Sequence, residues 1–109
     1  MSEFLVVYIT APPGEEAQRL ARALVSEKLA ACVNRISRVE SVYSWEGRVE
    51  CDFEDLLIVK TRAEAFDQLK KRVQALHPYE VPEIIAAPIV EGDERYLEWM
   101  GTTLPKGQG

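Results

Sequence analysis

A run of strand-forming residues from Cys32 to Thr61 is broken only once, at Glu46-Gly47. Gly in a two-residue loop suits a β-hairpin, although Glu-Gly is a weaker turn signal than Asn-Gly or Asp-Gly. Each arm is about fourteen residues, long for so short a chain. Pairing Trp45 with Arg48 sets Val39, Ser41, Tyr43 and Trp45 opposite Glu54, Asp52, Glu50 and Arg48 on one face. Val42, Ser44, Val49, Cys51 and Phe53 fall on the other, so apolar groups occupy both faces near the tip. The same register carried inward puts Cys32 opposite Thr61. A tip this far from the base outreaches any helix the chain can lay over it, and a second subunit is the simplest cover.

The remaining elements frame this hairpin. Phe4–Thr10 is β-branched, aromatic and apolar on both faces, as expected of a central, covered strand. Ala11-Pro12-Pro13-Gly14 ends it, and Ala17, Leu20, Ala21, Leu24 and Val25 then recur at helical spacing. Glu15 and Glu16 open that helix and Lys28 closes it, complementing its dipole. Leu56-Leu57-Ile58-Val59 reads as buried on both sides. Thr61-Arg62-Ala63-Glu64 fits a capping box ahead of a helix through Phe66, Leu69, Val73 and Leu76, which His77-Pro78 stops. Glu83–Val90 is a fourth strand whose Pro88 calls for an edge or a bulge, and Asp93–Met100 is a short final helix. The order β-α-β-β-α-β predicts an α+β fold, a ferredoxin-like βαββαβ sandwich with a long β-hairpin and a short C-terminal helix. Residues 1–103 are expected to form one domain and 104–109 a flexible tail.

Composition narrows the function. Thirteen Lys and Arg against eighteen Asp and Glu leave a net charge of −5, which disfavours nucleic-acid binding. The longest apolar run, Ile84–Val90, is too short to span a bilayer, and Met1-Ser2-Glu3 does not start a secretory signal. A soluble, cytoplasmic protein is the expectation, with no membrane partner. No Gly-x-Gly-x-x-Gly, Walker or Cys-x-x-Cys motif is present.

Chemistry-bearing residues are few. His77, the single histidine, is either a helix C-cap or a metal ligand or proton donor. Cys32 and Cys51 read as small hydrophobes too far apart to join; a Cys32–His77 nucleophile pair has no local signature. Glu50, Asp52 and Glu54 alternate on one strand face, spaced to meet solvent or cations rather than to chelate. Lys60 closes a buried strand, where its charge either snorkels or greets an anion. Tyr43, Trp45, Tyr96 and Trp99 suit a core or an interface.

Six phrases in order carry a resemblance: Tyr8-Ile9-Thr10-Ala11-Pro12; Lys28-Leu29-Ala30-Ala31-Cys32-Val33-Asn34; Ser41-x-Tyr43-x-Trp45-x-Gly47; Leu57-x-x-Lys60-Thr61; His77-Pro78-Tyr79-Glu80-Val81-Pro82-Glu83; and Tyr96-Leu97-x-Trp99. Together, from about Val6 to Met100, they resemble the CutA family of divalent-cation tolerance proteins. The resemblance implies a ferredoxin-like subunit in a tight homotrimer, with hairpins reaching across to neighbouring subunits. It also implies an assembly similar to the PII signalling proteins and a link to copper tolerance. The chain departs from the family at Ser37-Arg38, where many members carry Pro-Gly. It also has Ile9 and Leu76 where copper-binding members carry Cys and a second His. Copper or another divalent cation is the one cofactor left open, and it would rest on His77. Three functions follow as expectations. The first is a non-enzymatic trimeric binding or signalling protein of the metal-response class, with a small-molecule or protein partner. The second is a direct metal binder using His77 from more than one subunit, or His77 with help from Cys32 and Glu80. The third is an enzyme with an intersubunit cleft around Lys60, His77, Tyr79, Glu80 and Trp45.

Overall fold

Strand β1 (Phe4–Ala11) lies at the centre of a four-stranded antiparallel sheet of order β2-β3-β1-β4, seen in a computed structural model that describes residues 3–107. Its neighbours are β3 (Arg48–Arg62) and β4 (Ile84–Pro88), and β3 pairs outward with β2 (Cys32–Trp45). Helix α1 (Glu15–Ser26) follows β1, α2 (Phe66–Leu76) follows β3, and α3 (Glu94–Thr103) closes the chain. This is the ferredoxin-like arrangement expected from the sequence, and β4 with its Pro88 is an edge strand.

The core forms on one face. Val7, Ile9 and Ala11 of β1 and Leu57 and Val59 of β3 meet Ala17, Leu20 and Leu24 of α1 and Leu69 and Val73 of α2. Both helices therefore cover the same side, each through the stripe its periodicity marked. Burying one such Leu contributes about 1.5–3 kcal/mol. The opposite side of β1 and β3, read from the sequence as covered, is only half-buried within one chain at Val6, Tyr8, Leu56 and Ile58.

Several local features differ from expectation. Lys28 does not lie in the last turn of α1 but past it, at φ 60°. Its N–H bonds the Val25 carbonyl at 3.1 Å and the Leu29 N–H bonds that of Leu24 at 2.9 Å, the paired closure of a Schellman motif. The capping box is not formed: Thr61 belongs to β3 and donates its hydroxyl to the Leu29 carbonyl at 2.6 Å. A short 3-10 turn, Ala63–Ala65, leads into α2 instead. Leu104, assigned to the tail, is buried with Phe4, Ala31 and Met100 in a second cluster under α3. Arg62 explains this: its guanidinium holds the Gly101 carbonyl at 3.0 Å and its Nε–H the Leu104 carbonyl. The Gly107 N–H also donates to Glu64 at 2.9 Å, so the described part of the tail is tied down; residues 108–109 lie outside the described range.

The hairpin has its expected tip and an altered base. Glu46 and Gly47 both take positive φ, 50° and 77°, as a type I′ turn requires. Trp45 pairs with Arg48, and the expected register holds inward to Val39 opposite Glu54. Between Ile36 and Val39 it slips by one residue, so Cys32 faces Lys60 and not Thr61. Ser37 and Arg38 form a bulge opposite Asp55, with Arg38 at φ 56°. Cys32 and Cys51 are both unpaired thiols.

Asp55, 1% exposed, fixes that bulge. One carboxylate oxygen accepts the Arg38 N–H at 2.8 Å; the other accepts the Gly14 N–H at 3.0 Å and the Arg35 guanidinium at 2.7 Å. Burial pushes the Asp55 pKa up, but the Gly14 and Arg38 N–H groups and Arg35 outweigh it and hold the carboxyl below its ordinary value. A lowered folded-state pKa contributes stability above the unfolded value of about 3.9 and loses it as pH falls through the folded one. Acid unfolding followed by circular dichroism should therefore show destabilisation beginning below about pH 4 that Asp55→Asn blunts. Asp55→Ala, which strands two N–H groups and a guanidinium, should cost about 3 kcal/mol in urea denaturation at neutral pH. Glu46→Asn, better suited to the positive φ, should raise stability by about 0.5 kcal/mol in the same assay.

Candidate functional site

The tip register decides which way the hairpin's aromatic residues point. Tyr43 and Trp45 pair with Glu50 and Arg48, on the β3 face that carries Ile58 beside Tyr8, away from the helices; the bulge reverses the alternation of β2, so Ile36 shares that face. Glu50, Asp52 and Glu54 of β3 stand on that face opposite them. The Tyr43 hydroxyl donates to Asp52. The loop after α2 closes over the base of the hairpin, where the Tyr79 hydroxyl donates to Glu54 at 3.0 Å. Tyr43, Trp45, Glu50, Glu54 and Tyr79 border a cleft of about 550 Å³, joined by Glu80, Val81 and Glu83 from the loop and Thr10 from β1.

His77 anchors the loop. It is 7% exposed and caps α2, its N–H bonded to the Val73 carbonyl at 2.8 Å. Its ring faces away from the helix carbonyls. Nδ1 accepts the Tyr79 N–H at 3.1 Å, which assigns the proton to Nε2, and Nε2–H donates to the Thr10 carbonyl at 2.7 Å. The ring also packs on Tyr79, centroids 4.6 Å apart. With both nitrogens engaged, this side chain has no lone pair left for a metal in this conformation.

Of the five residues singled out from the sequence, Trp45, Tyr79 and Glu80 line the cleft and His77 stands directly behind it. Lys60 lies elsewhere on the same face, opposite Val6 and Cys32, with its ammonium on Asn34. Four residue steps along β1 separate that row from Thr10, about 13 Å. Cys32 shares the Lys60 row, so it is not brought to His77 either. No group of three or more His, Cys, Asp or Glu side chains among the described residues is placed to hold a metal ion.

The tyrosines carry the clearest electrostatic signature. Tyr43 is pushed up to about 12 by its hydrogen bond to Asp52, then by partial desolvation and the charges of Asp52, Glu50 and Glu54. Tyr79 is pushed up to about 12 by burial first, then by Glu54. Both phenols stay protonated through the physiological range. Thr10, Tyr43, Glu50, Glu54, Val81 and Glu83 are the cleft residues that sequence reasoning missed as such. The signal for Glu54 was present in the carboxylate row facing Tyr43 and Trp45; Thr10 and Glu83 join through a 3.4 Å contact between residues 73 apart.

Comparison with known proteins places the chain. Residues 5–103 match the family model described as CutA1 divalent ion tolerance protein. The divalent-cation tolerance protein CutA of Thermus thermophilus is 56% identical over 95 residues, 87% of this chain and 92% of that protein. The chloroplastic CutA 1 of rice is 54% identical over 96 residues, 88% of this chain but 54% of the relative, so the chain spans about half the length of that plant protein. A crystal structure of CutA1 from Oryza sativa aligns with a TM-score of 0.93 at 50% identity, covering 96% of both chains. The expectation of a cytoplasmic location is corrected here. Plant relatives are chloroplastic, and the Archaeoglobus fulgidus CutA structure, 44% identical, is described as periplasmic. The fold and the family therefore do not fix a compartment. By the span of the match and the identity to its relatives, this chain belongs to the CutA1 divalent ion tolerance family.

Proposed function

We propose that the chain acts as a non-enzymatic homotrimer of the divalent-metal response class, a binding or signalling protein. The observation that carries this reading is the uncovered face of the sheet. Asn34, Ile58, Tyr8 and Ile85 form one row across all four strands, and Ile36 and Leu56 extend it toward the hairpin. Ile85 is 56% exposed and Ile36 45%. Beyond them Val42, Val49 and Phe53 stand exposed on the far side of the hairpin. An apolar surface on both sides of a protruding ribbon favours burial against further copies of the same chain, at about 25 cal/mol per Å² removed from water. The family's trimer, implied by the resemblance, supplies such a cover. A binding role is supported by the cleft beside Tyr79, whose residues are tied to one another and include no nucleophile paired with a base.

The direct metal-binding alternative would need His77 to leave Thr10 or Tyr79. Copper prefers thiolate or several imidazoles, and the chain has one imidazole.

Sedimentation at micromolar concentration should show a species of three times 12.3 kDa; a stable folded monomer would defeat the assembly. Trp45→Ala should weaken association about tenfold or more while leaving the far-ultraviolet circular dichroism unchanged. Calorimetric titration with Cu(II) or Zn(II) should give affinities weaker than about micromolar. Stoichiometric tighter binding that His77→Ala abolishes would restore the direct metal reading.

A further inference from the structure

His77 is the single histidine of the chain and is 7% exposed, so its own subunit already encloses it and further copies can only enclose it more. Its ring joins two segments through hydrogen bonds of opposite sense. Nε2–H donates to the Thr10 carbonyl of β1 at 2.7 Å, and Nδ1 accepts the Tyr79 N–H at 3.1 Å. The second bond needs the neutral imidazole, because a proton on Nδ1 would point at the Tyr79 N–H. Tyr79, Glu80 and Val81 lie between Pro78 and Pro82, outside any helix or strand. Among the described residues, this bond is the one that fixes a backbone N–H in that stretch.

The groups around the ring decide whether it can carry charge. On β1 its partner is a neutral carbonyl, and the Thr10 hydroxyl donates to Glu83 at 3.4 Å. On β3, Glu54 lies one phenol beyond the ring, accepting from Tyr79 at 3.0 Å. Asp55 stands opposite Ala11, the residue after Thr10, with its charge paired to Arg35. The loop adds Glu80, and the last turn of α2 has no basic residue. The Tyr79 phenol, pushed up to about 12 by burial and then by Glu54, does not titrate near neutrality. Imidazole is the side chain here that ordinarily changes charge between about pH 5 and 8, and its surroundings are acidic or neutral. A cationic ring can form there.

We propose that His77 is a proton-operated latch: protonation of its ring in mild acid breaks the Tyr79 bond and frees the loop 78–82 from β1. The proton taken up at Nδ1 turns an acceptor into a donor, so the Tyr79 N–H loses its partner and two N–H groups face each other. Either the loop moves away or the ring turns over and gives up Tyr79. Tyr79, Glu80 and Val81 then leave the wall of the cleft that they border. At neutral pH the latch is shut and the wall complete. The device goes beyond the binding role proposed above and does not depend on the oligomeric state, since every group in it belongs to one subunit.

The test is nuclear magnetic resonance of the isotope-labelled full chain, in the assembly it adopts, titrated from about pH 8 to about pH 5. At the upper end the ring should be the Nε2–H tautomer. Exchange of the Tyr79 amide with water, corrected for its intrinsic pH dependence, should quicken about tenfold or more across the range, in step with protonation of the ring. In His77→Gln the side-chain amide can still donate to Thr10 and accept from Tyr79, so the Tyr79 amide should stay slow throughout. Glu54→Gln removes the carboxylate bonded to Tyr79 and should leave the acceleration in place. A ring that takes up its proton with no change at the Tyr79 amide would overturn the proposal, as would a ring that stays neutral across the range. Acceleration that persists in His77→Gln, or vanishes in Glu54→Gln, assigns the switch to the carboxylates and overturns it too. Should His77→Gln not fold, the wild-type and Glu54→Gln titrations decide by the same criteria.

Discussion

The arrangement turns on one buried carboxylate. Asp55 sits where β3 passes the end of β1, opposite Ala11, and gathers the turn before α1, the bulge in β2 and the Arg35 guanidinium around a single charge. None of the three partners can move without exposing the others. A buried anion is costly unless its lone pairs are filled, and here each oxygen accepts a backbone N–H. That satisfaction also compensates the positive φ of Arg38, which an L-residue at a bulge otherwise resists.

The consequence reaches the candidate site. Without the extra residue at Ser37-Arg38, Cys32, Asn34 and Ile36 would fall on the helix side of the sheet and Val33 and Arg35 on the open face. With it, Ile36 joins the face on which Tyr43 and Trp45 meet the row of Glu50, Asp52 and Glu54. A residue pair that is unremarkable in sequence thus determines which side chains of the inner half of β2 share that surface. His77 contributes in the same indirect way: it reads as a ligand by residue type, yet its ring joins β1 to the loop that carries Tyr79 and Glu80.

The family's name refers to divalent ions, but the cleft of this chain is built from aromatic faces and separated carboxylates. These facts are compatible if tolerance of metal ions is reached through a bound ligand or a partner. Fold and family membership do not by themselves assign a ligand. The other notable cluster, Lys60 with Asn34 and Cys32, lies on the open sheet face, where it would sit between subunits in the assembly proposed.

The sequence by itself determined the elements, their order and the face each helix buries, because helical and strand periodicities are local and the apolar residues repeat at those periods. It also determined the hairpin tip, where Glu46-Gly47 admits few turns, and the opposition of Tyr43 and Trp45 to the acidic row that follows from it. The tertiary structure alone decided the inner register, since the bulge is stabilised by a carboxylate seventeen residues from Arg38 and by the approach of Gly14. It decided that Thr61 bonds Leu29 and does not cap a helix, and that Leu104 is core, because each depends on a partner dozens of residues away. It decided the cleft for the same reason: Thr10, Glu54 and Tyr79 share no local pattern and meet only when the loop after α2 is latched to β1.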